Sequence, residues 1–346
     1  MKIKLLLISL LSFCQVLIAQ EGIPLYQDYL TSSWYLIHPA MAGAANVDQV
    51  RLTGRTQWLD ADDAPSLITG SINARVSKKV GIGFIAFSDE NGNYSENGFY
   101  GTFAYHLNLS ARETELHQLS FGLSFGVLQN RLDESSFSPL AVAQDPAVFG
   151  VERDETYANA EFGISYLKQN FFAHFTVKNA LPLGKNEFIT INELEPDNQR
   201  KFVFTTGHTF SIGSDEGGIS FEPSFQYVST PEIGEQLIDF NGKIYKNLED
   251  KNKIWGGIAY RNVLEGTEYT LDNVNILTQN YQTISGFMGV DYKQFVVAYT
   301  FTHQLDEVTF SDAGFHQITL GYNFGADVKA REGSKRWDCN CPAANF

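Results

Sequence analysis

The sequence predicts an all-β fold: a transmembrane antiparallel β-barrel of the outer-membrane type with about fourteen strands. Three observations carry this. Segments of roughly ten residues alternate large apolar side chains with small or polar ones. Tight turns alternate with longer connections along the chain. The composition is rich in aromatics (14%) and poor in charge (19%) for a 346-residue chain of net charge -15.

The N-terminus reads as an export signal over residues 1–19. Lys2 and Lys4 form a basic start, Leu5 to Leu11 an apolar core, and Leu17-Ile18-Ala19 a small-residue exit. Interruption of the apolar run by Ser9, Ser12 and Gln15 argues against a permanent anchor helix. Cleavage removes Cys14 and leaves Cys339 and Cys341, too few for a disulfide framework. The acidic balance argues against nucleic acid as a partner, because phosphate neutralisation needs a basic face. A mean hydropathy of -0.18 excludes a bundle of transmembrane helices. It does not exclude a barrel, whose strands average lipid-facing and water-facing side chains.

Strands are expected at 47–59, 65–77, 79–88, 97–109, 116–129, 157–168, 170–179, 200–212, 217–229, 236–248, 253–262, 281–291, 294–304 and 313–325. Leu119 to Val127 is the clearest: Leu119, Phe121, Leu123, Phe125 and Val127 alternate with Ser120, Gly122, Ser124 and Gly126. Because neighbouring side chains in a strand point to opposite faces, such a segment has one greasy and one small or polar face. Tight turns are expected at Ser77-Lys78-Lys79, 110–115, Gln169-Asn170, 213–216, 249–252 and Tyr292-Lys293. Longer loops are expected near 89–96, 130–156, 180–199, 263–280 and 305–312, with shorter ones near 60–64 and 230–235. Short periplasmic turns opposite long extracellular loops are the pattern of an outer-membrane barrel. A soluble sandwich would also alternate, but gives no reason for every second connection to be tight.

Closure of the sheet follows from the need to pair every backbone N–H and C=O inside hydrocarbon. The expected organisation is a signal peptide (1–19), a periplasmic or plug segment (20–46), the barrel (47–325) and a periplasmic tail (326–346). An even number of strands places both termini in the periplasm. Tyr105, Tyr166, Tyr260, Tyr299 and Tyr322 suit interfacial girdles.

Catalytic chemistry is not evident. The seven histidines show no metal-ligand spacing, and there is no nucleophile elbow or phosphate loop. Asp60, Asp62 and Asp63 read as a solvated acidic loop rather than a calcium loop. His174 and Glu161 should face the lumen, Glu161 as an isolated wall residue. The expectation is therefore a non-enzyme with no cofactor and no metal.

The segment after the signal reads Tyr26-Gln27-Asp28-Tyr29, then His38-Pro39-Ala40-Met41-Ala42-Gly43. Arg51 to Trp58 follows, containing Arg55, Gln57 and Trp58, and then Ala64-Pro65. This resembles the PorP/SprF family of type IX secretion system membrane proteins. The family pattern is a Gln-x-Tyr segment, Asn-Pro-Ala-x-x-Gly, an Arg-x-Gln-Trp strand and an Ala-Pro. Here His38 stands where the family usually has Asn. The likeness extends in layout over nearly the whole mature chain, to Cys341-Pro342.

The resemblance implies an outer-membrane barrel serving the type IX secretion and gliding machinery. Its implied partners are outer-membrane lipid, a periplasmic lipoprotein ring, and a secreted adhesin or other cargo. Pro39 and Gly43 suit a compact turn seating the N-terminal segment, with Arg55 facing the lumen to hold it. Lys335, Arg336, Trp337, Cys339, Cys341 and Pro342 in the tail are expected to contact a periplasmic partner, the basic residues by steering. The competing readings are a porin or hydrophobic-solute transporter and, more remotely, an outer-membrane enzyme.

Overall fold

The computed structural model describes residues 33–58, 64–111, 115–137, 150–180, 200–212, 218–232, 234–248, 252–264, 267–270, 276–279, 281–305 and 314–325. The expected signal peptide, the acidic cluster Asp60 to Asp63, Tyr26, Gln27 and the tail 326–346 lie outside these residues.

The described chain is almost wholly strand. In order these are β1 (Asp48–Gln57), β2 (Ser66–Arg75), β3 (Val80–Asn91), β4 (Tyr94–Asn108), β5 (His117–Asp133) and β6 (Glu152–Lys168). Next come β7 (Phe171–Lys178), β8 (Lys201–His208), β9 (Phe210–Ile212), β10 (Ile219–Thr230), β11 (Glu235–Asn247) and β12 (Lys253–Val263). A separate hairpin, β13 (Thr267–Thr270) and β14 (Ile276–Gln279), precedes β15 (Gln282–Tyr292), β16 (Phe295–Gln304) and β17 (Phe315–Phe324).

β8 and β9 are two lengths of one strand. Both pair with β10 in a single register, Gly207 opposite Ser224 and Phe210 opposite Phe221. The break lies beside Pro223, which has no N–H to give to the ladder. Thr209, between the two lengths, gives its N–H to the carbonyl of Asn170, which continues the register with β7 across the break. Counted this way, fourteen strands form the wall. Consecutive strands pair antiparallel throughout, and β17 returns to β1, with Asp48 opposite Phe324 and Gln57 opposite Phe315. The sheet is a closed barrel, so no strand edge is left to hydrocarbon.

The alternation in the sequence becomes an inside and an outside. On β5, Leu123 is 55% exposed and its neighbour Ser124 only 1%. Val50 and Leu52 on β1, Ile68 and Ile72 on β2, Phe99 and Phe103 on β4, and Ile318 and Leu320 on β17 also point outward. Arg51, Thr53, Thr69, Ser71, Thr102, Gln317 and Thr319 point inward and are buried. The outer wall is therefore greasy and the interior polar, the reverse of a soluble fold and the arrangement of a membrane barrel.

The outward row also marks where lipid ends. On β5 it is apolar from Leu119 to Val127, then becomes Gln129, Arg131 and Asp133. On β6 it changes at Thr156, Asp154 and Glu152. Eight residue steps at ~3.4 Å along a strand tilted by ~40° give a belt of roughly 20 Å, close to the ~25 Å of a typical barrel.

Two expected loops are shorter than the sequence implied. The connection placed near 89–96 is the two-residue turn Gly92-Asn93, with Gly92 at φ +58°, and β3 and β4 run on to meet it. The loop placed at 130–156 is narrowed because β5 continues to Asp133 and β6 starts at Glu152. The reason is common to both. Above the lipid a strand no longer needs a greasy face, so Asp89, Glu90, Glu96 and Asn130 read as loop while keeping ladder pairing. The connection placed at 263–280 holds the β13–β14 hairpin. The wall is consequently uneven: β5 and β6 have 17 residues each, β7 only 8.

The belt boundary is testable by paired substitutions. Leu123→Lys, inside the belt, should cost about 2–4 kcal/mol of barrel stability, measured by urea unfolding in detergent micelles or bilayers. Gln129→Lys, on the same face above the belt, should be near neutral. Equal losses for the two would remove the boundary drawn here.

A candidate functional site: the N-terminal segment seated in the lumen

The inward faces of β2 to β8 do not line an empty space. Residues 33–45, immediately before β1, lie against them, and every one of these residues is buried. Two short 3-10 turns, Trp34–Leu36 and Pro39–Met41, fold the segment compactly. Pro39 begins the second turn, where its missing N–H is no loss. Gly43 leaves it at φ +67°, and a Cβ there would come within 2.7 Å of the Ala74 carbonyl oxygen. Pro39 and Gly43 thus set the two bends that the fold requires.

The seat is made by polar side chains from five strands. Tyr35 donates its hydroxyl to Thr102 Oγ1 on β4 (2.8 Å). The ring of His38 is held by Thr176 on β7 (2.8 Å) and Thr205 on β8 (3.0 Å). His106 on β4 donates Nε2–H to the Ala42 carbonyl (3.0 Å), and its Nδ1 meets Ser120 Oγ (2.8 Å). The Gly43 N–H goes to Asn73 Oδ1 on β2 (3.1 Å). Ser165 on β6 donates to Met41 Sδ (3.2 Å), which leaves Nδ1 of His174 to donate to Ser165 (2.7 Å). Trp34, His38 and His174 form a cluster of rings, with His38 and His174 4.8 Å apart and Trp34 5.0 Å from Phe172.

Small wall residues let the segment approach. A Cβ on Gly81 would strike the Ala42 carbonyl, on Gly83 the Tyr35 hydroxyl, and on Gly122 the backbone of Pro39 and Ala40. On Gly163 it would crowd the Pro39 ring at 3.2 Å. Gly122, in the Ser/Gly row on β5, is therefore the notch that admits the turn at Pro39–Met41.

Glu161, expected as an isolated wall residue, is not isolated. It pairs with Lys178 Nζ at 2.8 Å, both side chains about one-twentieth exposed, and Lys178 also reaches the Leu36 carbonyl (3.5 Å). Burial raises the Tyr35 hydroxyl above the ordinary tyrosine range, an effect the Thr102 bond opposes in part, so it stays a neutral donor. Burial, then the neighbouring His174 and Lys178, hold His38 well below the ordinary histidine range, so its ring is neutral.

The other side of the lumen is paired within itself. Asp239 receives Arg261 through Nε (2.6 Å) and Nη2 (2.7 Å). Glu222 accepts from Tyr245 (2.6 Å) and Thr209 (2.8 Å). Lys243 lies over the Trp255 ring at 4.5 Å.

Of the residues singled out in the sequence, the structure brings His38, Pro39, Ala40 and Gly43 into this seat. The first-strand residues are elsewhere. Arg55 faces inward, six residues along β1 from Gln49, and stacks on Phe315 (5.0 Å), which Trp58 also touches (6.0 Å). The Gln57 N–H bonds the Pro65 carbonyl (2.9 Å), tying β1 to the start of β2. Lys335, Arg336, Trp337, Cys339, Cys341 and Pro342 lie outside the described residues. Sequence reading missed Tyr35, Thr102, His106, Thr176, Thr205 and the Lys178–Glu161 pair. Its one usable signal was the Ser/Gly row, whose smallness asks for something to fill the gap. Among the described residues no group of three His, Cys, Asp or Glu side chains converges as a metal site.

Fold and interior together define an outer-membrane β-barrel whose lumen holds its own N-terminal segment. The model of the type IX secretion system membrane protein PorP/SprF family matches residues 18–322, and the chain belongs to that family. No curated protein matches the sequence. Similar solved structures include the CymD monoaromatic hydrocarbon channel, with TM-score 0.46 and 11% identity over 83% of this chain and 90% of that one. The Pseudomonas putida toluene transporter TodX gives 0.43 and 11%, over 88% and 95%. A Pseudomonas aeruginosa FadL homologue gives 0.42 and 9%, over 83% and 93%.

Two comparisons between variants test the seat. Gly122→Val should lower barrel stability by about 1–3 kcal/mol through overpacking against Pro39 and Ala40, while Gly101→Val, with nothing within 4 Å of its Cβ, should not. Lys178→Met should cost about 3–5 kcal/mol by leaving the Glu161 carboxylate buried without its partner, and adding Glu161→Leu should recover much of that. Thermal unfolding in detergent reads both. Equal midpoints for the two glycine variants would mean the segment moves aside at no cost.

Proposed function

We propose that this barrel is a non-enzymatic component of the type IX secretion and gliding machinery that supports export or surface anchoring of a secreted protein such as an adhesin. The family places the chain among secretion-system membrane proteins. The observation that carries the reading is the seated segment: residues 33–45 occupy the lumen with their backbone carbonyls and ring nitrogens bonded to the wall. A general porin keeps its lumen clear for solutes, whereas here the interior is used as a binding site for the protein's own chain.

The chain enters β1 at Asp48 and leaves β17 at Phe324, which are paired at the same end of the barrel. That end also carries the tight turns at 76–79, Gln169-Asn170 and Lys293-Gln294. Short turns are the periplasmic feature of outer-membrane barrels, which supports reading this end, and with it both termini, as periplasmic. There Lys335, Arg336 and Trp337 meet an acidic face of a lipoprotein ring by charge steering.

The test is a pull-down from detergent-solubilised outer membrane, using the full chain and a variant lacking residues 326–346. The full chain should recover a periplasmic lipoprotein and a large secreted protein, and the truncated chain should lose the lipoprotein. Recovery of neither from the full chain would overturn the reading.

A further inference from the structure

The bonds holding His38 fix its protonation state, and the fixing runs across the wall. Asp239 on β11 is the anchor, its two oxygens accepting Arg261 Nε and Nη2 from β12. Gln226 on β10 gives its Nε2–H to Asp239 Oδ2 (3.0 Å), so its Oε1 faces the other way. Thr205 on β8 must then donate its only hydroxyl hydrogen to Gln226 Oε1 (3.1 Å). That leaves Thr205 Oγ1 as an acceptor for His38, so Nε2 of His38 carries the ring hydrogen. Nδ1 is bare and accepts from Thr176 on β7 (2.8 Å). One chain of hydrogen bonds thus runs from the seated segment through β8, β10 and β11 to β12, and it specifies a single neutral tautomer.

A second proton on His38 finds no charge to meet it. From β7 the ring faces His174 and Lys178, neither of which stabilises a cation beside it. From β6 the carboxylate of Glu161 is already taken by Lys178. From β8 and β10 it faces the uncharged Thr205 and Gln226, and the carboxylate beyond them, Asp239, is held by Arg261. On its own segment, Tyr35 bonds Thr102. His38 itself is wholly buried. An imidazolium here is a buried, unpaired cation, which a protein avoids by moving the group to water.

We infer that residues 33–45 are a proton-sensitive gate on a lumenal conduit, with neutral His38 as the latch that keeps them seated. Segment and seat separate without breaking any strand pairing, because residues 33–45 contribute no strand to the wall. Once the segment leaves, the exposed wall of β4 to β8 presents Thr102, Ser124, Ser165, Thr176 and Thr205, a surface suited to water and polar solutes. This activity goes beyond the secretion role and does not depend on which protein is exported.

The direction follows from linkage. Seating favours the neutral ring, so the seated state weakens as pH falls below the ordinary histidine value of about 6.5. For one proton the ratio of unseated to seated segment rises by up to about tenfold per pH unit below that value.

The experiment is single-channel or macroscopic conductance of the purified full chain in planar bilayers, from pH 7.5 to 5. Wild type should be closed at pH 7.5 and gain open probability on acidification, approaching tenfold per unit. His38→Gln replaces the titrating ring with an amide that still donates to Thr205, and it should lose the pH dependence. Wild-type conductance that does not change with pH would overturn the proposal. So would a His38→Gln barrel that keeps the wild-type pH response, since another group would then be the latch. Retained heat-modifiable gel mobility of the variant shows that its barrel is folded when the comparison is made. A flat pH profile beside successful recovery of secretion partners would sink the gate and leave the secretion reading standing.

Discussion

Everything in this molecule depends on the sheet closing on itself. Hydrocarbon offers no partner for a backbone N–H or C=O, so the wall is viable only because β17 returns to β1 in register from Asp48 to Gln57. Closure in turn dictates the side chains. One face of every strand must suit lipid, and the other must suit whatever occupies the interior. The interruption at Thr209 shows how little deviation is allowed. Beside Pro223 the strand is interrupted, yet Thr209 keeps its N–H on Asn170, in register with β7, and gives its hydroxyl to Glu222.

The interior follows a different rule from a soluble core. It is polar, and several of its charged groups are paired within it: Arg261 with Asp239, Lys178 with Glu161, Tyr245 and Thr209 with Glu222. Into this wall the segment 33–45 fits because glycine removes Cβ atoms where the chain passes and hydroxyls appear where its polar atoms point. The arrangement is specific in position more than strong in energy, since each neutral hydrogen bond contributes only about 0.5–1.5 kcal/mol net. That balance suits a segment held firmly in place yet able to part from the wall.

Much of the wall was legible in the residues themselves. Alternation across Leu119 to Val127 located β5, and the spacing of tight turns ordered the strands. What was not legible was the height of β3 to β6, because a strand above the lipid carries polar residues on both faces and looks like loop. The seat was half legible. The Pro39–Gly43 bends and the inward parity of Glu161 and His174 could be read from the sequence. Their partners could not, because Thr102, Thr176 and Thr205 are ordinary wall threonines until the barrel brings them within reach of residues 67 to 167 positions away. No local pattern encodes a contact at that separation.

The unequal strand lengths give the molecule a compass bearing. β3 to β6 stand clear of the lipid as a polar parapet carrying Glu90, Asp133, Glu152 and Asp154, whereas β7 ends at Lys178, next to Val177 opposite Phe162 and still within the belt. A body approaching that rim over β3 to β6 meets an acidic screen.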